Sequence, residues 1–330
     1  MERVGFSISA GLRASEIVQA VVHAEALGYE SAWVAEGHGG DQFAILSACA
    51  TATSRIRLGT CISSVFVRSP PTIAMAAATV DELSEGRFVL GLGSSHRVQV
   101  GPEHGVDYVK PIERLTETVQ FVRTLVANGK ASFAGETFSI ENFDFWFEPH
   151  RRDIPIYLAG LFPKMLHLCG QIADGIILTR VTTERLAEVR RLISAGEVSV
   201  GRKQPIEVTS LMVTSVNDDR ARAFDAARPG VAMYAGFFPR YNRLIAESGF
   251  PEAAAAIKTA WERGDRAAAA AAVPDDVIAQ TGVVGTPAEC RARLLAYRAA
   301  GLDLPIINPI ARGPNGLDDV LSAIEACAPK

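Results

Sequence analysis

Short runs of apolar, β-branched residues alternate along almost the whole chain with segments whose apolar positions recur every three or four residues. Eight runs read as strands: Arg3–Ser9, Ser31–Ala35, Ile56–Cys61, Phe88–Gly93, Ile154–Ala159, Gly175–Thr179, Ile206–Thr214 and Leu304–Ile307. Several are continuously apolar, as in parallel strands covered on both faces, and lack the alternation of a half-exposed sheet. Between them, helical spacing predicts helices over Ala14–Leu27, Pro70–Leu83, Pro111–Val126 and Thr183–Ile193. In the third of these, Leu115, Val119, Val122 and Val126 form one stripe, a buried face.

Most strand starts are spaced by roughly one βα unit, and two intervals are much longer. The pattern predicts an α/β protein, a (β/α)8 TIM barrel formed by residues 1–330 as one domain, with excursions at about 131–153 after strand four and about 229–282 after strand seven. The first excursion carries Phe143, Phe145, Trp146 and Phe147, which suit core packing, the barrel mouth or a subunit surface. The second holds helical segments around Met233–Gly249, Ala253–Arg263 and Asp265–Ala272. Its Tyr234–Tyr241 stretch, with Phe237 and Phe238, reads as part of an apolar substrate lid. Gly285 and Pro287 then punctuate the chain before a helix over Ala288–Ala300.

Composition removes several function classes. With 330 residues, 48% hydrophobic and 21% charged, the chain is ordinary globular material and long enough for a barrel with insertions. A net charge of −4 without a basic cluster argues against a nucleic-acid or membrane-surface partner. No apolar run approaches the ~18 residues of a membrane span, and the first residues lack a leader's apolar core, so a cytoplasmic protein is expected. The five cysteines are odd in number and form no CxxC pair, which supports neither a disulfide framework nor a metal site.

Candidate chemistry begins at FVLGLGSSHRVQVGPEHG, residues 88–105. A dinucleotide fingerprint needs G-x-G-x-x-G between a strand and a helix, usually in the first βαβ unit. Here His96 stands at the third glycine, the motif follows strand four, and Gly101-Pro102 and His104-Gly105 predict a continued loop. Gly91 and Gly93 fit better at a barrel mouth, where a flat ligand approaches the backbone. In a barrel, chemistry belongs to the C-terminal strand ends. Those ends carry Ser7 and Ser9; Glu36-Gly37-His38; Cys61-Ile62-Ser63-Ser64; Ser94-Ser95-His96-Arg97; Ala159-Gly160-Leu161-Phe162-Pro163-Lys164; and Thr179-Arg180.

Three separated stretches, ELSEGRFVLGLGSS, PIYLAGLFPKMLHLCGQIADGIIL and VVGTPAECRARLLAYRAAGLD, resemble the luciferase-like flavin and deazaflavin oxidoreductase family over nearly the whole chain. RLGTCISS resembles the branch that uses the deazaflavin coenzyme F420, which implies a cis peptide at Cys61-Ile62 in a bulge that backs the cofactor ring. The same resemblance places His38 facing the deazaflavin, although Gly37 stands where the branch usually has an aspartate. A loop histidine without a role is the alternative. His96 occupies a position that is acidic in related dehydrogenases, and it would either exchange a proton with substrate or hydrogen-bond the cofactor. Ser7 replaces the glutamate of the pterin-reductase branch.

The implied catalytic set is His38 and His96 with Glu36 behind them. The implied cofactor contacts are Ser7, His38, Cys61, Ile62, Ser63, Gly93, Ser94, Ala159 and Thr179, with Gly160, Leu161, Phe162, Pro163 and Lys164 at the cofactor phosphate. Arg68, Arg97, Lys110, Arg180 and Arg240 would meet an acidic substrate or the cofactor's polyglutamate tail, or else face solvent. The expected reaction is hydride transfer between F420 and a small carbonyl or alcohol, imine or activated alkene. The alternatives are an FMN-dependent monooxygenase using O2 and a cofactor-less binder, and a homodimer is the family expectation.

Overall fold

Eight parallel strands close into a ring in the computed structural model, which describes residues 2–311 and 315–330. They are β1 (Gly5–Ile8), β2 (Ser31–Val34), β3 (Arg57–Thr60), β4 (Phe88–Gly93), β5 (Ile156–Ala159), β6 (Gly175–Thr179), β7 (Glu207–Val216) and β8 (Leu304–Pro309). Each pairs with its successor, and β1 with β8, so no edge remains. The expected (β/α)8 barrel is the observed one. Two short strands lengthen the wall: Ser63–Ser64 beside β4, and Gly282–Gly285 beside the upper half of β7.

The lumen is filled by matching small residues to large ones. A Cβ at Gly59 would lie 2.3 Å from the Trp33 ring, and one at Gly175 would lie 2.6 Å from the Tyr157 ring. Both rings therefore lie across the lumen, with centroids 5.8 Å apart. Beneath them, ion pairs close the N-terminal end. Arg3 pairs with Glu30 and Glu207, while Arg57 donates to Glu30 at 3.0 Å and to the Tyr157 hydroxyl at 2.9 Å. Burial alone would raise the Glu207 carboxyl, but the Tyr157 hydroxyl and the two arginines outweigh it and hold it low. This floor and the packed rings leave the opposite rim as the open face.

The first excursion is an antiparallel hairpin, Lys130–Ala134 with Ser139–Asp144, laid along the Pro111–Asn128 helix. Phe133 and Phe138 pack edge-on against Phe121 of that helix. Arg151 then ties the segment to buried Asp81 and to the Phe88 carbonyl, at the start of β4. The mouth placement of the aromatic cluster therefore fails. Phe143 and Phe145 pack against the core, and Trp146 is 94% exposed.

The second excursion forms five helices between Arg220 and Thr281 with a core of their own around Phe224, Val231, Ile257 and Ile278. The helix expected over Met233–Gly249 is broken at Phe238, which is extended because Pro239 follows it. The loop expected after β4 is also corrected, since Arg97–His104 is helical. In so short a helix Pro102 forgoes only the bond to the Val98 carbonyl, and left-handed Gly105 closes the end. Among the described residues, no helix is long and apolar enough to cross a membrane.

Gly59→Ala is expected to cost about 1–3 kcal/mol, because the Trp33 ring must move from a filled lumen. Gly59→Ala combined with Trp33→Phe should recover part of that loss in urea unfolding. Additive effects of the two changes would contradict the packing account.

Candidate active site

At the rim, β3 and β4 lose register. Gly59 faces Val89, but Ser63 faces Leu92, so Thr60, Cys61 and Ile62 lie opposite only Leu90 and Gly91. One extra residue on the third strand makes a β-bulge. The Thr60 hydroxyl fills the gap in the ladder, accepting from the Gly91 N–H and donating to the Gly91 carbonyl, each at 2.8 Å. Only glycine fits there, because a Cβ at Gly91 would sit 1.9 Å from the Thr60 carbonyl oxygen. The peptide between Cys61 and Ile62 is cis, as the family resemblance implied. Ile62 lies over Gly93, where a Cβ would come within 2.9 Å of it. The Cys61 thiol is buried and kept neutral by desolvation.

Glu36 fastens this bulge from the neighbouring strand. Its carboxylate accepts from the Ser64 N–H at 2.7 Å and from Arg68 Nε at 2.6 Å. Arg68 also pairs with Asp41, so it is part of the rim's framework. Glu36 does not pair with His38. That histidine is exposed, and its Nε2 meets Glu103 at 2.9 Å. The helix that sequence reading missed thus supplies the carboxylate that Gly37 lacks. Nothing in the sequence marks Glu103, which lies 65 positions from its partner.

His96 stands apart from that pair, at the head of the Arg97–His104 helix. Its ring lies 4.3 Å from Phe238 and 5.5 Å from Tyr241, centroid to centroid. The stretch read as a lid does cover the rim: Phe238, Tyr241 and Leu244 are buried together with Val98 and Leu161 packed on them. Tyr241 also lies against the Thr179 side chain at the end of β6. Burial, and then the charge of Arg240, push the His96 imidazole down to about 4. Tyr108, another residue missed in the sequence, accepts from Arg240 at 3.2 Å and donates to the Ser94 hydroxyl at 3.2 Å.

The remaining expected contacts also sit on this face. Ser7 is buried and donates to the Ile307 carbonyl at 3.2 Å, and Ser63 is buried beneath the bulge. Ala159 ends β5, Gly160 follows it, and the helix Pro163–Ile172 starts at Phe162 with no side-chain cap. Its first N–H groups are therefore left without a side-chain acceptor at the helix's positive end. Arg243 of the lid stacks 4.8 Å from the Phe162 ring, while Lys164 is exposed.

A parallel barrel with a sealed floor and a bulged, polar C-terminal rim is the architecture of a (β/α)8 enzyme. The profile of the luciferase-like monooxygenase family matches residues 2–304, and the chain belongs to that family of enzymes. A 5,10-methylenetetrahydromethanopterin reductase of Archaeoglobus fulgidus is 27% identical over 323 residues, covering 96% of this chain and 95% of its own. The structure of the coenzyme F420-dependent tetrahydromethanopterin reductase of Methanopyrus kandleri superposes with a TM-score of 0.86 at 24% identity, over 99% of this chain and 98% of the other. An F420-dependent secondary alcohol dehydrogenase, solved with an F420-acetone adduct, gives 0.79 at 21% identity over 98% of each chain.

The folded His96 imidazole titrates below the unfolded value of 6.5, so the native state holds fewer protons between about 4 and 6.5. Stability should therefore fall as pH drops through that window, and His96→Gln should flatten the fall. The matching NMR observation is a His96 ring still neutral at pH 6, and a ring half-protonated there would contradict the burial argument.

Proposed function

We propose that the protein is a deazaflavin-dependent oxidoreductase that exchanges a hydride between coenzyme F420 and a small organic substrate held beneath the Tyr234–Tyr241 lid. The observation that carries this reading is the bulged strand end, with Ile62 laid over Gly93. The apolar Ile62 side chain would back one face of a flat ring at the rim. The relatives named for F420 add weight to the same cofactor.

The residues present fit such a group. Ile62 and Cys61 would support one face of the ring, with Ser7, Ser63, Ser94 and Thr179 near its polar edge. The uncapped helix start after Gly160 suits the cofactor phosphate, because Leu161, Phe162 and Pro163 contribute no side-chain acceptor there. Lys164 and Arg243 would add positive charge at that end. When bound, the deazaflavin supplies two-electron hydride exchange at its C5.

The chain's own part is orientation and proton handling. His38 would hold the exchangeable proton on its imidazole, whose ring the Glu103 carboxylate orients through the 2.9 Å contact at Nε2. Neutral His96 would offer a hydrogen bond to the substrate oxygen or to the cofactor and would carry no charge there. Glu36 would act on the reaction only by holding the bulge through Ser64 and Arg68. Tyr234, Phe238 and Tyr241 would exclude water from the reacting atoms.

Titration of the purified protein with F420, and separately with FMN, tests this directly through quenching of cofactor fluorescence. Saturable F420 binding with much weaker FMN binding is expected. Gly93→Val should weaken F420 by at least about tenfold, equivalent to roughly 1.4 kcal/mol, by displacing Ile62. Tight FMN binding would point to oxygen chemistry, and binding of neither cofactor would remove the enzymatic reading of the rim.

A further inference from the structure

Among the described residues two charged side chains are buried, Asp81 and Arg180. Asp81 is matched by Arg151 at 2.7 Å. Arg180 is not matched at all. Its Nε and Nη1 are buried without a hydrogen-bond partner, and no carboxylate pairs with it among the described residues. The guanidinium lies over the Tyr234 ring at 4.3 Å, and its electrostatic neighbours are the hydroxyls of Tyr234 and Tyr241. A ring face compensates a buried cation only in part, and an arginine cannot shed its proton to escape the cost.

Its position is also particular. In β6 the side chains of Ile177 and Thr179 share one face, so simple alternation would send residue 180 the other way. A left-handed φ of +56° interrupts the strand at Arg180, and its side chain lies beneath the lid helix. The side chains packed there are Phe238, Tyr241, Leu161 and neutral His96, and the charge that acts on His96 and Tyr241 is a second cation, Arg240. With no carboxylate among them, Arg180 is held uncompensated at the rim.

We infer that Arg180 is an anion anchor for the substrate: it binds a carboxylate borne by a compound whose apolar body lies against Tyr234, Phe238 and Tyr241. The inference deepens the oxidoreductase reading and rests on it for the word substrate. An incoming carboxylate would satisfy the open guanidinium nitrogens in a site shielded from water, where charge-assisted hydrogen bonds are strongest. The cofactor's own phosphate carries the same anionic oxygen chemistry, and the test separates the two sources.

Thermal unfolding of the cofactor-free protein would be followed with benzoate and with benzamide, which share a body and differ in charge. Benzoate should stabilise the wild type saturably and benzamide should not. Arg180→Gln should raise the apparent Kd for benzoate at least tenfold, and Arg180→Lys should restore part of the affinity. Without any ligand, Arg180→Gln should melt no lower than the wild type, because it removes an unpaired buried charge. Equal effects of benzoate and benzamide, undiminished benzoate binding by Arg180→Gln, or a marked loss of ligand-free stability in that variant would overturn the inference. F420 titration of Arg180→Gln gives the second arm. Unchanged cofactor affinity assigns the anion to the substrate, whereas lost F420 affinity with retained benzoate binding would assign the arginine to the cofactor and refute the proposal. Failure of the wild type to bind F420 would remove the oxidoreductase reading alone, leaving the benzoate result to stand or fall by itself.

Discussion

The rim of this barrel depends on one side chain doing the work of a missing ladder position. Where β3 gains a residue over β4, the Thr60 hydroxyl bridges both backbone groups of Gly91, and the two strands stay joined through the slip. The arrangement requires glycine at 91, since any Cβ would strike the Thr60 carbonyl. From it follow the seat of Ile62 on Gly93 and the return of Ser63–Ser64 to β4. Glu36 and Arg68 then lock the returning strand from the side.

The two ends of the barrel treat charge in opposite ways. At the floor every charge has a partner: Arg3, Glu30, Arg57, Glu207 and the Tyr157 hydroxyl form one network under Trp33. At the mouth, buried Arg180 has none, and His96 is driven neutral beneath the aromatic lid. Paired charge and filled volume mark the part of the fold that serves stability. Unpaired charge, a left-handed arginine and a bulge collect where a ligand would complete the structure, as expected when local rules are broken for function.

How much of this was legible in the sequence follows from the range of each signal. The eight strands could be read because each is a local apolar run buried on both faces, and the lid could be read from its clustered aromatics. Pro102 and the glycines around it suggested a loop, yet an eight-residue helix loses only one bond to that proline. The carboxylate partner of His38 was invisible because it comes from Glu103, inside that misread helix. Lumen packing was equally hidden, since it depends on pairs such as Trp33 with Gly59 that meet only through strand register. Arg180 could be noticed as a basic residue at a strand end, but its burial depends on the distant Tyr234 helix. The aromatic segment 143–147 stayed open between core, mouth and subunit surface for a related reason: composition shows that rings must pack, and only the anchoring of Arg151 at the start of β4 shows where.

The central claim is that the cofactor is received on the bulged side of the mouth. Hydrogen–deuterium exchange, measured with and without F420, addresses it most directly. The account predicts slower exchange in peptides covering residues 60–66, 93–97 and 160–166, with the 130–144 hairpin unchanged. Unaltered exchange at those three strand ends under saturating F420, or protection confined to the hairpin, would contradict it.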